Sequence, residues 1–368
     1  MSSYYNPVKI IKTKNWQLEL NNSIEELGIS LPAIVTSPGN RKRLNLDSLF
    51  SPKSIFSDVD SNPNFEDCIN AVKFFRKNTF DGVIALGGGS AMDLAKVVMA
   101  YLCLEKSDIY ELINCKGKFP WTIPSIFLPT THGTASEVTM WGTVWNMKEE
   151  KKYSISHPDL YPSVAILDGN LTLSLPLDIS ITTVMDALSH SFEAIWNKNA
   201  NPTSTDFAIS AICSIFNNGE ALKENPFDLE IRNNLLQAAT VAGLAFSNTT
   251  TAAAHSMSYP LTIHYGIPHG VASSISLIPL LEINGEFIKE PLDRICKNNE
   301  LTYDELKKTI KALPQGIIPY TLDEWGIPEN QLPKLAAESF TKGRMDNNIV
   351  ELSTGDILGI LKELFSEQ

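Results

Sequence analysis

Three histidines and an aspartate are the residues of this sequence best suited to do chemistry. Asp186 and His190 stand four positions apart in Val184-Met185-Asp186-Ala187-Leu188-Ser189-His190. On a helix that spacing puts both side chains on one face, a turn apart. His255 lies in Ala253-Ala254-His255-Ser256-Met257, and His269 in Gly266-Ile267-Pro268-His269-Gly270. Three imidazoles and one carboxylate are enough to hold a divalent metal and leave a coordination position open. Taken alone, the same residues also admit a plainer account: Asp186 and His190 as a surface pair on a helix, and His255 as a core histidine.

A second candidate site is Gly87-Gly88-Gly89-Ser90, set between the apolar run Val83-Ile84-Ala85-Leu86 and the helix-like segment Ala91 to Cys103. Glycines let a phosphate approach the backbone, and a helix N-terminus attracts anions. The loop therefore reads as a pyrophosphate cradle, with Asp93 in the first helical turn, where the dipole favours a carboxylate. A tight turn after a strand is the alternative. The GxGxxG fingerprint is absent, so an ordinary Rossmann site is not implied. A polar loop follows, Thr130-Thr131-His132-Gly133-Thr134-Ala135-Ser136-Glu137. Its hydroxyls, Ser136 included, suit phosphate or ribose, or else cap a following helix through Thr134 or Ser136.

Positioning these groups takes more than one core. The chain has 368 residues, a length that suits two domains. In the first part, short apolar runs end at turn residues: Pro32 to Thr36 before Ser37-Pro38-Gly39, Ile126 to Leu128 before Pro129, Val164 to Leu167 before Asp168-Gly169. Such runs, with helices between them, predict buried parallel strands. Asn64 to Lys77 reads as one intervening helix, capped by Asn64, with Ile69, Val72 and Phe75 on its apolar face. From about Leu171 onward the apolar positions follow helical spacing, as in Ala208 to Phe216, Ile231 to Ala245 and Ile357 to Phe365. The expectation is an α/β dinucleotide-binding domain over 1–170 and an all-helical metal-binding and substrate domain over 171–368, with Pro176 turning the chain near the junction.

Composition narrows the setting. Hydrophobic content of 43% and charged content of 20% predict a soluble globular protein. The start MSSYYNPVKIIKTK lacks the pattern of a signal peptide, and no apolar run is long enough to span a bilayer. Cys68, Cys103, Cys115, Cys213 and Cys296 are scattered without CxxC spacing, which predicts a reducing cytoplasm and no thiolate metal site. A net charge of −12 without basic blocks argues against nucleic-acid binding. No membrane partner is expected, and a homodimer is.

These segments, in this order, resemble the iron-containing (group III) alcohol dehydrogenases. Gly87-Gly88-Gly89-Ser90-Ala91-Met92-Asp93-Leu94-Ala95-Lys96 is similar to the family's GGGSxxDxAK element. Pro129 to Thr139 resembles its PTTAGTGSEVT loop, with His132 for Ala and Ala135 for Gly. Asp186 to His190 is similar to DALxH, and His255 with Pro268-His269-Gly270 matches its H…PHG element. The likeness runs from the first strand to Gly270. It implies a dehydroquinate synthase-like architecture and a metal, Fe(II) or alternatively Zn(II), held by Asp186, His190, His255 and His269. It also implies NADP(H) or NAD(H) in the cleft between the domains, touching Gly88, Gly89, Ser90, Thr130 and Thr131, with the Lys152 ammonium near the phosphates.

Two departures from the family pattern bear on function. Where many members carry an aspartate after the first cofactor-binding strand, this chain has Ser37, followed by Arg41, Lys42 and Arg43. Without a repelling carboxylate the 2′-phosphate of NADP(H) should be admitted. Four residues after His255, where many members carry a second histidine, this chain has Tyr259. Its ordinary pKa of about 10 makes it a poorer base at neutral pH, though it can still relay a proton.

The implied reaction is reduction of a small aldehyde to a primary alcohol. The metal polarises the carbonyl oxygen, and a proton arrives from water, the ribose hydroxyl or Tyr259. His255 and His269 are thus catalytic through the metal. Within the family, Trp196 to Pro202 and Ala253 to Thr262 resemble the branch that reduces phosphonoacetaldehyde to 2-hydroxyethylphosphonate. A phosphonate needs cationic partners when buried. Lys198, two helical turns beyond His190 if that helix continues, and Arg344 are the candidates, and a solvated surface charge is the plainer account of each. Three other readings compete: a general butanol-type alcohol dehydrogenase on uncharged aldehydes, a dehydroquinate synthase-like lyase, and a non-catalytic metal- or nucleotide-binding protein. The complete set of one aspartate and three histidines argues against the last two.

Overall fold

The architecture is that of a computed structural model, which describes residues 3–60, 63–106, 108–149 and 151–366. The chain divides into two compact units. One is an α/β unit of residues 6–131 and 135–172. The other is helical and runs from Leu173 onward, joined by the segment ending at Tyr5 and by His132–Thr134. The sequence reading placed those two short segments with the α/β domain; the helical unit claims them.

The strands are β1 (Lys9–Lys12), β2 (Pro32–Thr36), β3 (Ile55–Phe56), β4 (Gly82–Gly87), β5 (Ser125–Pro129), β6 (Trp141–Asn146), β7 (Lys151–Ser156) and β8 (Val164–Leu167). Six form a parallel sheet in the order β1-β8-β5-β4-β2-β3, while β6 and β7 pair as an antiparallel hairpin. Side chains alternate across a strand, and this alternation sorts the core. Ala33, Val35, Val83, Ala85 and Phe127 face one side of the sheet. Ile34, Ile84, Leu86, Ile126, Leu128 and Ile166 face the other. Both faces are covered, which is why the strands read as unbroken apolar runs.

The helices of this unit are α1 (Trp16–Glu26), α2 (Pro38–Arg43), α3 (Phe65–Phe75), α4 (Gly89–Leu104) and α5 (Ile109–Ile113). Asn64 caps α3 through a capping box with Asp67. Its buried stripe is Cys68, Ala71, Val72 and Phe75, while Ile69 faces outward, contrary to the expected face. The polar loop after β5 does not cap a long helix. It makes a short 3-10 turn at Ser136–Val138 and enters the β6–β7 hairpin.

The helical unit contains α6 (Leu177–Ile195), α7 (Pro202–Glu224), α8 (Leu229–Thr249), α9 (Ala253–Tyr265), α10 (His269–Ser274) and further helices to Glu363. Helices α6, α7 and α8 pack on one another, and α10 packs on α6 and α9. Pro176 precedes α6, and Pro202 opens α7 behind an Asn201 cap. Among the described residues no single helix is long and apolar enough to cross a membrane.

Both departures in the 130–137 loop have physical consequences. Ala135 adopts φ +49° and ψ +30°, a left-handed conformation, at the position where the similar family loop has glycine. Such a conformation costs a non-glycine residue roughly 1–2 kcal/mol. Ala135→Gly should therefore raise the unfolding free energy by about 1 kcal/mol, net of glycine's chain entropy. Urea unfolding measures this, and a variant no more stable than wild type contradicts it.

His132 is fully buried, and among the described residues neither ring nitrogen has a hydrogen-bond partner. Burial, reinforced by the Arg232 guanidinium, pushes its imidazole down to about 3. The unfolded side chain titrates near about 6.5, so below that pH the unfolded state binds a proton that the folded state refuses. Stability is then lost as pH falls from the unfolded value toward the folded one, on the order of 3 kcal/mol by about pH 4. His132→Ala should lose less unfolding free energy than wild type on going from neutral pH to about pH 4. An equal loss in both proteins contradicts this account.

Candidate metal centre and cofactor loops

Helix α6 places a polar stripe inside an apolar bundle. Asp186 and His190 are 2% and 5% exposed, so they are not a surface pair. Helix α9 carries His255 in its first turn, and α10 opens with His269. Ligand atoms of Asp186, His255 and His269 all lie within 4.8 Å of one another. His255 Nε2 lies 3.5 Å and His269 Nε2 3.9 Å from Asp186 Oδ1. The His190 ring lies alongside, its Nδ1 4.0 Å from Asp186 Oδ2, stacked between Phe246 and His255. The close approach of α10 to α6 requires Gly270, where a Cβ would fall 2.0 Å from the Thr182 carbonyl oxygen.

Two supporting residues were not singled out from the sequence. Ser273 donates its hydroxyl proton to Asp186 Oδ1 at 3.0 Å. Glu193, fully buried, accepts from the backbone N–H of His255 at 3.0 Å and from its Nδ1–H at 2.5 Å. The available signal was position: Glu193 stands seven residues after Asp186 and three after His190, on the same helical stripe.

The electrostatics ask for a cation. Burial pushes the Asp186 carboxyl up, but the surrounding imidazoles outweigh it and hold it well below the usual carboxylate range. For His255, burial opposes protonation, yet the charges of Glu193 and Asp186 push it up to about 9. Two carboxylates in an apolar interior thus draw positive charge to the space between the imidazoles. His255 Nε2 is buried and lies 3.5 Å from Asp186 Oδ1, too far for a strong hydrogen bond. Imidazole nitrogen and carboxylate oxygen are ordinary ligands of divalent iron and zinc. The residues present fit a metal ion.

In the α/β unit, the cofactor candidates meet at the carboxyl ends of three neighbouring strands, where ligands bind in open parallel sheets. Ser37 follows β2, Gly87 ends β4 and Thr130 follows β5. The Thr130 N–H donates to Gly87 O at 3.0 Å, and a Cβ on Gly88 would crowd Thr131 at 3.0 Å. Gly88 caps α4, a 16-residue helix that opens with Gly89 and Ser90, without a side-chain bond. Ser37 Oγ caps α2 by accepting from Asn40 N–H. Arg41 pairs with Asp47 at 2.6 Å, and Arg43 donates to the Leu171 carbonyl.

Asp93 is not in the first turn of α4, which begins at Gly89; it lies a turn further on and bonds Ser136. Asp93 accepts from Ser136 Oγ–H at 2.7 Å and from Thr143 N–H at 2.8 Å. Buried Lys96 donates to Ser136 Oγ, Thr139 Oγ1 and the Ser136 and Trp141 carbonyls. Their polar atoms join α4 to the loop and hairpin. Lys152, on β7, holds its ammonium 5.4 Å from the Trp145 ring.

Of the two candidate substrate cations, Lys198 departs from expectation. Helix α6 ends at Ile195, so Lys198 lies beyond it and shares no helical face with His190. Its Nζ donates to the Asp346 carbonyl at 2.9 Å. Arg344 precedes a 3-10 turn, Met345–Asn347, that packs against α9. The two cations are thus tied to one segment, which the sequence did not foretell. Tyr259 sits one turn after His255 on α9 and is partly buried.

The chain matches two family models that cover nearly its whole length. Residues 7–169 match the iron-containing alcohol dehydrogenase model, and residues 180–365 match that of the Fe-containing alcohol dehydrogenase family, C-terminal. It is 30% identical to long-chain-alcohol dehydrogenase 1 of Geobacillus thermodenitrificans over 370 aligned positions, covering 95% of this chain and 93% of that one. Among solved structures, sulfoacetaldehyde reductase from Bifidobacterium kashiwanohense in complex with NAD+ superposes with a TM-score of 0.91 at 30% identity, covering 100% of both chains. A 1,3-propanediol oxidoreductase superposes with a TM-score of 0.88 at 27% identity, covering 99% of this chain and 100% of that one. The chain therefore belongs to the iron-containing alcohol dehydrogenase family, an oxidoreductase that uses iron and a nicotinamide dinucleotide.

Proposed function

We propose that this enzyme reduces a small aldehyde bearing an anionic oxyacid group, phosphonoacetaldehyde first among them, to the corresponding primary alcohol. The supporting observation is the end-to-end likeness to a sulfoacetaldehyde reductase. Sulfoacetaldehyde and phosphonoacetaldehyde both carry a tetrahedral, anionic oxyacid group one methylene from the reactive carbonyl carbon. The likeness of Trp196 to Pro202 and of Ala253 to Thr262 to the phosphonoacetaldehyde branch points the same way. The reducing cytoplasm is the compartment that suits the five free cysteines.

In this reading Asp186, His190, His255 and His269 hold the iron. When bound, iron supplies a Lewis acid at the carbonyl oxygen, and the nicotinamide supplies the hydride. The backbone of Gly87 to Ser90, with the α4 N-terminus, Thr130 and Thr131, seats the diphosphate. Lys152 adds a cation beside it, and Ser37 leaves room for a 2′-phosphate. Tyr259, one turn from His255, passes a proton between solvent and the product oxygen. Each cation already donates to one backbone carbonyl, Lys198 to that of Asp346 and Arg344 to that of Gly343; Arg344 is the better anchor for the oxyacid group because its fork keeps further N–H donors that match paired oxygens.

The test follows NADPH and NADH oxidation with phosphonoacetaldehyde, sulfoacetaldehyde and butyraldehyde. Wild type should turn over an anionic aldehyde with the highest kcat/KM and should accept NADPH. Arg344→Ala should reduce kcat/KM for the anionic aldehyde by roughly 30-fold or more, the effect of leaving a desolvated charge unpaired, and leave butyraldehyde nearly unchanged. If wild type prefers butyraldehyde, the enzyme is a general alcohol dehydrogenase and the anionic reading fails.

A further inference from the structure

We propose that Glu193 is the positioning residue of the metal centre, a buried carboxylate that fixes the ring of His255 so that only Nε2 is offered to the ion. This inference rests on the metal-site reading above. Asp186, His190 and Glu193 form one stripe on α6 at steps of four and three residues, so the helix that supplies two ligands also supplies this carboxylate. Glu193 is 0% exposed, and an isolated carboxylate in such a place is costly unless its oxygens are partnered.

His255 partners both oxygens, and the Ala252 backbone also bonds the carboxylate. The His255 backbone N–H donates to Oε1 at 3.0 Å, and His255 Nδ1–H donates to Oε2 at 2.5 Å. The backbone bond sets where the first turn of α9 sits; Ala252, the residue before that helix, has no side chain able to accept it. The ring bond sets its rotation. A carboxylate at the Nδ1 side can only accept, so Nδ1 keeps its proton, and when the ring gives up its other proton to bind an ion the lone pair is on Nε2. That nitrogen faces Asp186 Oδ1 at 3.5 Å. A neutral imidazole without such a partner divides between two tautomers and turns more freely. The carboxylate also makes the ring a stronger donor. Asp186 receives the complementary support, a hydroxyl proton from Ser273.

The experiment measures the Zn(II) affinity of metal-free protein by competition with a chromophoric chelator, for wild type, Glu193→Gln and Glu193→Asp. Glutamine keeps the size but can turn an NH2 group toward the Nδ1 proton. Glu193→Gln should raise the Kd about 10–100-fold. Glu193→Asp, which keeps the charge but shortens the reach, should fall between it and wild type. In the cobalt(II)-substituted protein, both variants should shift the visible ligand-field bands. Wild-type affinity and an unshifted cobalt spectrum in Glu193→Gln overturn the proposal, even if that variant melts at a lower temperature. Should Glu193→Gln not fold, the same comparison on Glu193→Asp decides. Failure of wild type to bind Zn(II) would instead overturn the metal-site reading itself.

Discussion

Helices α6, α9 and α10 are arranged around negative charge that has been taken out of water. Asp186 and Glu193 are held on one face of α6 within an apolar bundle, where carboxylates persist only beside hydrogen-bond donors and positive charge. His255 lies between them and touches both. Helix α9 must therefore begin where it does, and α10 must approach α6 so closely that residue 270 has no room for a Cβ. The imidazoles of His190 and His269 complete the surroundings of Asp186. A divalent cation satisfies this arrangement better than any side chain present.

The α/β unit solves a different problem, the holding of a diphosphate by backbone. Its sheet is buried on both faces, which leaves the carboxyl ends of β2, β4 and β5 as the place where polar groups gather. Ser37, the glycine loop and Thr130 converge there because their strands are neighbours, not because they are near in sequence. Lys96 and Asp93 stiffen the base of that site. Their charges are taken up by Ser136, Thr139, Thr143 and Trp141, so the loop that carries Thr130 and Thr131 is tied to α4.

Much of this was legible in the residues. Apolar runs ended by turn residues marked β2, β4, β5 and β8, because a strand buried on both faces has no polar alternation to confuse it. Residue type and spacing identified the four candidate ligands. What was not legible depended on contacts distant in sequence. The β6–β7 hairpin carries a loose mixture of Trp, Thr, Lys and Ser that no pattern distinguishes from loop. Nothing local separates Glu193 from a solvated glutamate until α9 is placed against it. Lys198 was read on an extended α6, but the helix stops at Ile195, and the turn through Asn197 to Asn201 leads into a new helix opened by Pro202. Asp93 and Ser136 have the residue types of cofactor ligands, and only their mutual geometry shows them bonded to each other.

The central claim is that Asp186, His190, His255 and His269 bind one metal ion as a set. Its most direct test is bound-metal stoichiometry after anaerobic reconstitution with Fe(II), paired with thermal unfolding, in wild type and in His269→Ala. The account predicts stoichiometric metal in wild type with a Tm that rises on binding. In His269→Ala it predicts substoichiometric metal, a much smaller rise, and a metal-free Tm close to that of metal-free wild type, because His269 is the most exposed of the three imidazoles. Full metal content and an undiminished Tm rise in His269→Ala would contradict it.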